Sequence, residues 1–265
     1  ARVPWAIHAV AHVMEMQGRH DEGARWLADL RAHWGARAGE GRDDARNGFA
    51  GHLGWHEALF ALETLDTDAA LRIFDTYLGA SDIEITLQRV DAASLLWRID
   101  LLGADVGARW RALLVDWRLD SATAGHSLFN DAHAALALIG AGELAEAREW
   151  VALSLAGADR QAGWNREVVR AIGAPLMHGL LAFGEGRYAA AAETIAPVRA
   201  RLAPFGGSRA QRDVVDQTLL AAAARGGLRT AGRALLDERR RAKPATPLTA
   251  HWARRLGGPS SLDAR

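Results

Sequence analysis

Apolar residues recur at helical spacing from the start of the chain. Ile7, Val10, Ala11 and Met14 fall at i, i+3, i+4 and i+7, one face of an α-helix. Leu87, Val90, Leu95, Leu96, Ile99 and Leu102 trace a similar stripe. No convincing strand alternation is present. Between the periodic stretches one short pattern returns: a small residue, any residue, a larger residue, two of any kind, then Ala or Gly. It is clear in Gly18-Arg-His-Asp-Glu-Gly23, Gly142-Glu-Leu-Ala-Glu-Ala147, Gly186-Arg-Tyr-Ala-Ala-Ala191 and Gly226-Gly-Leu-Arg-Thr-Ala231. It is weaker in Leu65-Asp-Thr-Asp-Ala-Ala70 and Gly103-Ala-Asp-Val-Gly-Ala108. Successive copies start 38 to 47 residues apart, the range of two-helix repeats.

Each copy reads as the turn of a helical hairpin. The leading Gly ends one helix where positive φ is wanted. The closing small residue lets the next helix come close to the first. The spacing predicts first helices over about 4–17, 48–64, 82–102, 126–140, 164–184 and 208–225. The second helices are expected over about 21–34, 67–78, 105–118, 143–156, 188–203 and 228–241, with a capping helix near 247–256. Ser81-Asp-Ile-Glu84 reads as a capping box opening the third unit. Gly35 to Asn47 is the longest expected loop. The expected fold is all-α: a helical-hairpin solenoid of about six repeats plus a C-terminal helix. It forms one domain over residues 1–257, followed by a disordered tail at 258–265.

Composition narrows the function classes. Lys+Arg and Asp+Glu are both 32, so formal net charge is zero. That argues against a general nucleic-acid or anionic-membrane partner, which needs surplus positive charge. Cys is absent, which excludes disulfides, thiolate nucleophiles and Cys-based metal sites. No run is long and apolar enough for a membrane helix, and no signal peptide is visible. The expected compartment is cytoplasmic. The chain opens Ala-Arg-Val-Pro inside an apolar pattern, which reads as a processed chain or a piece of a longer one. Trp5, Ile7 and Val10 then begin a helix with no preceding repeat to cover it.

The repeated hexapeptide, with Ala in the second helix, resembles the tetratricopeptide repeat, so the solenoid is expected to be tetratricopeptide-like. Longer strings resemble one family, tetratricopeptide repeat protein 38. They are His8-Ala-Val-Ala-His-Val-Met-Glu-Met-Gln-Gly-Arg19, His52-Leu-Gly-Trp-His-Glu-Ala-Leu-Phe60, Val90-Asp-Ala-Ala-Ser-Leu-Leu96, Phe129-Asn-Asp-Ala-His133 and Gly206-Gly-Ser-Arg-Ala-Gln-Arg-Asp213. The similarity runs over nearly the whole chain. Family members extend further at the N-terminus, so the resemblance implies the C-terminal part of such a protein. It implies a helical-repeat fold but supplies no reaction.

Four of the ten His form two His-x3-His pairs, His8/His12 and His52/His56. On a helix, residues at i and i+4 share a face, with Cβ atoms about 5–6 Å apart. Two imidazoles at that spacing can grip one ion, although neither pair is followed by the Glu of a zincin motif. Counted back from the turn residue, His12, His8, His56 and His52 stand at 6, 10, 9 and 13, and His133 at 9. These offsets share a helical face. In tetratricopeptide stacks first helices line the concave side. The expected groove set is therefore His8, His12, His52, His56, Asp91, Asn130, Asp131, His133, Arg212 and Asp213. Within it His8, His12, His52, His56 and His133 are candidate metal ligands. His20, His33, His126 and His251 read as surface residues. Trp5, Trp55, Trp97, Trp110 and Trp164 read as core between hairpins rather than as an aromatic wall. Ser208 reads as a helix cap. Arg212 and Asp213 are read as an internal ion pair or a carboxylate site.

Two functions stay open. One is a non-catalytic scaffold whose groove binds a peptide or partner protein. The other is a metal-dependent hydrolase acting on a small-molecule substrate in the groove, with zinc, iron or manganese held by the His set. Asp91 or Glu57 would then be the base, and activity would fall below about pH 6 as imidazole protonates.

Overall fold

The computed structural model describes residues 3–35, 49–79, 85–117, 119–161 and 163–257, and there is no strand among them. Helix α1 (Pro4–Gln17) pairs with α2 (His20–Asp29) and a short α3 (Arg31–Trp34). Next come α4 (Phe49–Glu63) with α5 (Thr67–Tyr77), α6 (Thr86–Leu101) with α7 (Arg109–Trp117), and α8 (Leu128–Gly140) with α9 (Leu144–Asp159). Helix α10 (Trp164–Val168) passes through a π-helical turn at Val169–Gly173 into α11 (Ala174–Gly184), which pairs with α12 (Tyr188–Arg199). Helices α13 (Arg209–Arg225), α14 (Arg229–Ala242) and α15 (Pro247–Arg255) complete the order.

The helices fall close to the expected hairpins, with local departures. The helix expected over 21–34 breaks at Leu30. The helix expected over 164–184 is interrupted by the π turn, and Pro175, which has no N–H to give, follows directly. The helix expected to reach 203 stops at Arg199, and a 3-10 turn takes Ala203–Phe205. The capping box at 81–84, the loop expected over Gly35 to Asn47 except Gly35 itself, and the tail at 258–265 lie outside the described residues.

The repeated hexapeptide works in two ways. Gly142 and Gly186 turn the chain with φ of 84° and 75°. Leu65 takes the same left-handed conformation at 61° without the glycine. In the last unit the positive φ falls on Gly227, one residue later than the pattern placed it. The closing small residue sets the helix spacing: Ala70, Ala147 and Ala191 are fully buried, and a Cβ on Gly23 would lie 2.3 Å from the Phe60 ring.

Side-chain pairs show the direction of the first helices. His8 meets His52 and His12 meets His56, so α1 and α4 run parallel. His52 bonds Asp91 and Trp55 bonds Ser94, so α6 runs the same way. Gln211 bonds Asp91 and Trp97 bonds Thr218, which adds α13 to the set. Helix α13 therefore folds back: besides α12 and α14 it packs on α6 and α1. The last unit thus sits against the inner helices of the first three.

Two apolar cores result. A large one extends from Trp55 to Leu256. A small one joins the first hairpin to α4 through Ile7, Ala11, Met14, Leu27, Trp34, Leu53 and Phe60. Ile7, expected on an uncovered face, is fully buried there, whereas Trp5, Val13 and Met16 of the same helix are exposed. Among the described residues no helix is long and apolar enough to cross a membrane.

Candidate metal centre

Helices α1 and α4 lie side by side, and each presents two imidazoles one turn apart. His8, His12, His52 and His56 offer one ring nitrogen each, all within 4.8 Å of one another. Two nitrogens on one zinc, each about 2.0–2.1 Å from it, are at most about 4.2 Å apart. The cluster therefore needs only small side-chain rotations to close on an ion. His52 and His56 are buried in the core of the bundle, and His8 and His12 are half-buried at its edge. The ring of His8 also meets Phe49, with centroids 5.2 Å apart.

A buried carboxylate fixes one of the four rings. His52 Nδ1 donates to Asp91 Oδ2 at 2.6 Å, which leaves its Nε2 lone pair aimed into the cluster. This is the carboxylate–imidazole arrangement that orients metal-binding His in proteins. Asp91 is fully buried, and burial raises its pKa; His52 and the Gln211 amide counter part of that rise. Arg98 lies over the Trp55 ring beneath the site, and burial lowers its pKa to about 10.

Burial favours the neutral form of three of the rings, His8, His12 and His56. His8 is lowered to about 4 by burial, then by the charges of His52 and His12. His12 is lowered by burial and by His52. His56, fully buried, is lowered well below its ordinary value by burial, and both its nitrogens lack a hydrogen-bond partner among the described residues. Neutral imidazoles crowded together are what a divalent ion needs, because a protonated ring cannot ligate.

The other expected groove residues lie elsewhere. His133 is buried, but its Nδ1 donates to the Phe129 carbonyl at 2.7 Å. Its helix, α8, packs on α6, α7, α9 and α11, so the ring is not among the four. It borders an apolar cavity of about 20 Å³ with Leu136, Leu176 and Phe205. Asp131 Oδ2 accepts from the Gly125 N–H at 2.9 Å, and burial raises its pKa to about 6. Asn130 sits in the first turn of α8, where its backbone N–H donates to Ser127 Oγ. Arg212 and Asp213 do not pair with each other. Arg212 donates to the Gly206 and Gly207 carbonyls, and Asp213 pairs with Arg239. Burial opposes ionisation of Asp213, yet Arg239, Lys243 and Arg98 outweigh it and hold its pKa low.

Neither expected base is free. Asp91 is committed to His52, and Glu57 pairs with Arg31. His20, read as surface, is 6% exposed and lies against Phe60, with Glu63 3.9 Å away. Trp55, Trp97 and Trp110 are buried, Trp5 is exposed, and the Trp164 side chain lies outside the described residues. Sequence reasoning missed a buried ionic network beside the centre. In it Lys243 pairs with Glu15, and Arg239 with both Glu63 and Asp213. The clustered Glu238-Arg-Arg-Arg241 is its visible trace in the sequence.

No protein-family model matches this chain, and no solved structure matches it.

Proposed function

We propose that this chain binds a divalent ion through His8, His12, His52 and His56 and uses it in hydrolysis. The observation that carries the reading is the meeting of two His-x3-His pairs within 4.8 Å, one of them backed by a buried carboxylate. All-imidazole donors without thiolate suit zinc best among the ions considered, with iron and manganese as alternatives. An ion there supplies Lewis acidity and lowers the pKa of a bound water. The chain's own part is to bring four rings together, to fix His52 through Asp91, and to leave the His8 and His12 side half-open for substrate. Asp91 is committed to His52, and Glu57 and Glu15 each pair through one oxygen, with Arg31 and Lys243.

The scaffold reading keeps one observation. A cleft of about 610 Å³ lies among α1, α12, α13 and α14, within the size range of ligand sites. It carries both charge signs, including Arg199, Arg209, Arg212, Asp216 and Glu238, and fits a polar peptide. Against an extended concave groove stands α13, which covers α6. For the fold and lineage we propose a tetratricopeptide-like solenoid of the repeat protein 38 family, on the strength of the strings quoted above.

The test is metal analysis of the purified, untagged chain, followed by a hydrolase substrate panel with and without zinc. One ion per chain, lost in the His12→Ala, His56→Ala double variant together with any activity, supports the proposal. A chain that takes up no ion after zinc dialysis refutes it.

A further inference from the structure

We infer that Gln211 is a positioning residue for the metal centre, and that docking of α13 on α6 completes that centre. The inference rests on the metal-binding reading above. Asp91 has one partner at each oxygen: Oδ2 accepts from His52, and Oδ1 accepts from the Gln211 amide at 3.4 Å. In a fully buried carboxylate, loss of the second donor leaves a desolvated oxygen with nothing to accept, which is costly. The aim of His52 therefore depends on a residue 120 positions away in sequence.

Gln211 is itself held on several sides. Its Oε1 accepts from the Ser208 backbone N–H at 2.9 Å, and its backbone N–H donates to Ser208 Oγ at 3.2 Å, a capping box that opens α13. Arg98, 4% exposed, reaches across from α6: its Nη2 donates to the Ala210 carbonyl at 2.8 Å and the Gln211 carbonyl at 3.3 Å. The Trp97 indole donates to Thr218 at 2.9 Å two turns further on. The same C-terminal unit also grips the helices that carry the imidazoles. Lys243 pairs with Glu15 of α1, while Arg239 and the Thr246 hydroxyl hold Glu63 of α4.

Metal binding and closure of the stack are then two sides of one equilibrium. An ion that favours the closed form stabilises the closed form, and closure raises affinity for the ion by the same factor. The capping glutamine serves as the contact between them, through Asp91.

The experiment uses the full chain and zinc alone. Affinity is read by chelator competition for the wild type and for Gln211→Ala, Gln211→Met and Ser208→Ala. Changes to groups that orient ligands cost about 10- to 100-fold in affinity, and that loss is expected for both Gln211 variants. Ser208→Ala removes one hold on Gln211 but keeps its amide on Asp91, and should weaken zinc binding less than either Gln211 variant. The cobalt(II) form should show an altered visible spectrum in the Gln211 variants only, a change that general destabilisation would not produce. Amide exchange should show zinc protecting α13 in the wild type. Zinc binding with unchanged affinity and cobalt spectrum in both Gln211 variants overturns the inference and leaves the metal reading intact. If those variants do not fold, wild-type exchange decides: no added protection of α13 overturns it. A wild type that binds no zinc overturns both.

Discussion

The Nε2 atoms of His8 and His52 face one another at 3.0 Å across the α1–α4 contact. Asp91 fixes the proton of His52 on Nδ1, so in the metal-free chain His8 must donate through its own Nε2. An ion cannot share that space with a proton. Loading should therefore move the His8 proton from Nε2 to Nδ1 while the ring stays neutral. Nitrogen-15 spectra of the imidazoles would show the tautomer switch at His8 and none at His52. A His8 that keeps its Nε2 proton on zinc addition would remove it from the ligand set.

Acid should destabilise the metal-free protein earlier than it protonates the buried rings. Burial lowers His8 and His133 to about 4, whereas the unfolded chain titrates near 6.5. Between those values the unfolded state binds protons that the folded state refuses, so stability falls as pH drops through the window. For His133, 3% exposed, the full effect is roughly 3 kcal/mol. Asp131, raised to about 6, works in the opposite direction below that pH. Urea midpoints measured from pH 7 to 4.5 should decline, and His133→Gln should flatten the slope. Because burial lowers His8, His12 and His56, zinc retention should extend below the pH 6 limit expected from ordinary histidines.

Asp91→Asn offers a direct comparison of fold and site. The substitution removes a buried charge whose ionised form burial disfavours, so the metal-free fold should be little changed in stability. The amide no longer enforces the Nδ1 proton of His52, and zinc affinity should fall by about 10- to 100-fold. Thermal unfolding and chelator competition on the same sample would separate the two effects. An equal loss in both would make Asp91 a structural residue only.

Two glycines of one turn separate crowding from backbone strain. A Cβ on Gly140 would lie 2.2 Å from the Trp110 ring, and overpacking of that kind costs about 1–3 kcal/mol. A Cβ on Gly142 meets nothing within 4 Å, but φ is 84°, which costs an L-residue about 1–2 kcal/mol. Gly140→Ala should therefore be rescued in part by Trp110→Phe, whereas Gly142→Ala should be indifferent to it. Unfolding free energies from a double-mutant cycle would check both.

Helical spacing and the turn hexapeptide carried most of the fold, because both are local. The two His-x3-His pairs were legible for the same reason: residues four apart share a face whatever surrounds them. The limit of that reasoning is visible at His133 and His56. Both stand nine residues before their turn, yet α8 is not a neighbour of α1. An offset gives the face of a helix but not the curl of the stack. That curl depends on which far-apart helices meet, as Asp91 and Gln211 do. The buried state of His20 was missed because its place beside a turn glycine concealed the packing of Phe60 above it.

The order of synthesis adds a further consequence of α13 folding back. Translation delivers His8, His12, His52 and His56 first, while Gln211 and Lys243 follow more than 150 residues later. A ribosome-bound chain therefore holds the ligands long before it holds their cover. Domains form in that N-to-C direction as they emerge. Over that interval the four rings lack the brace that α13 gives Asp91, so tight ion binding should wait for the late hairpin to dock.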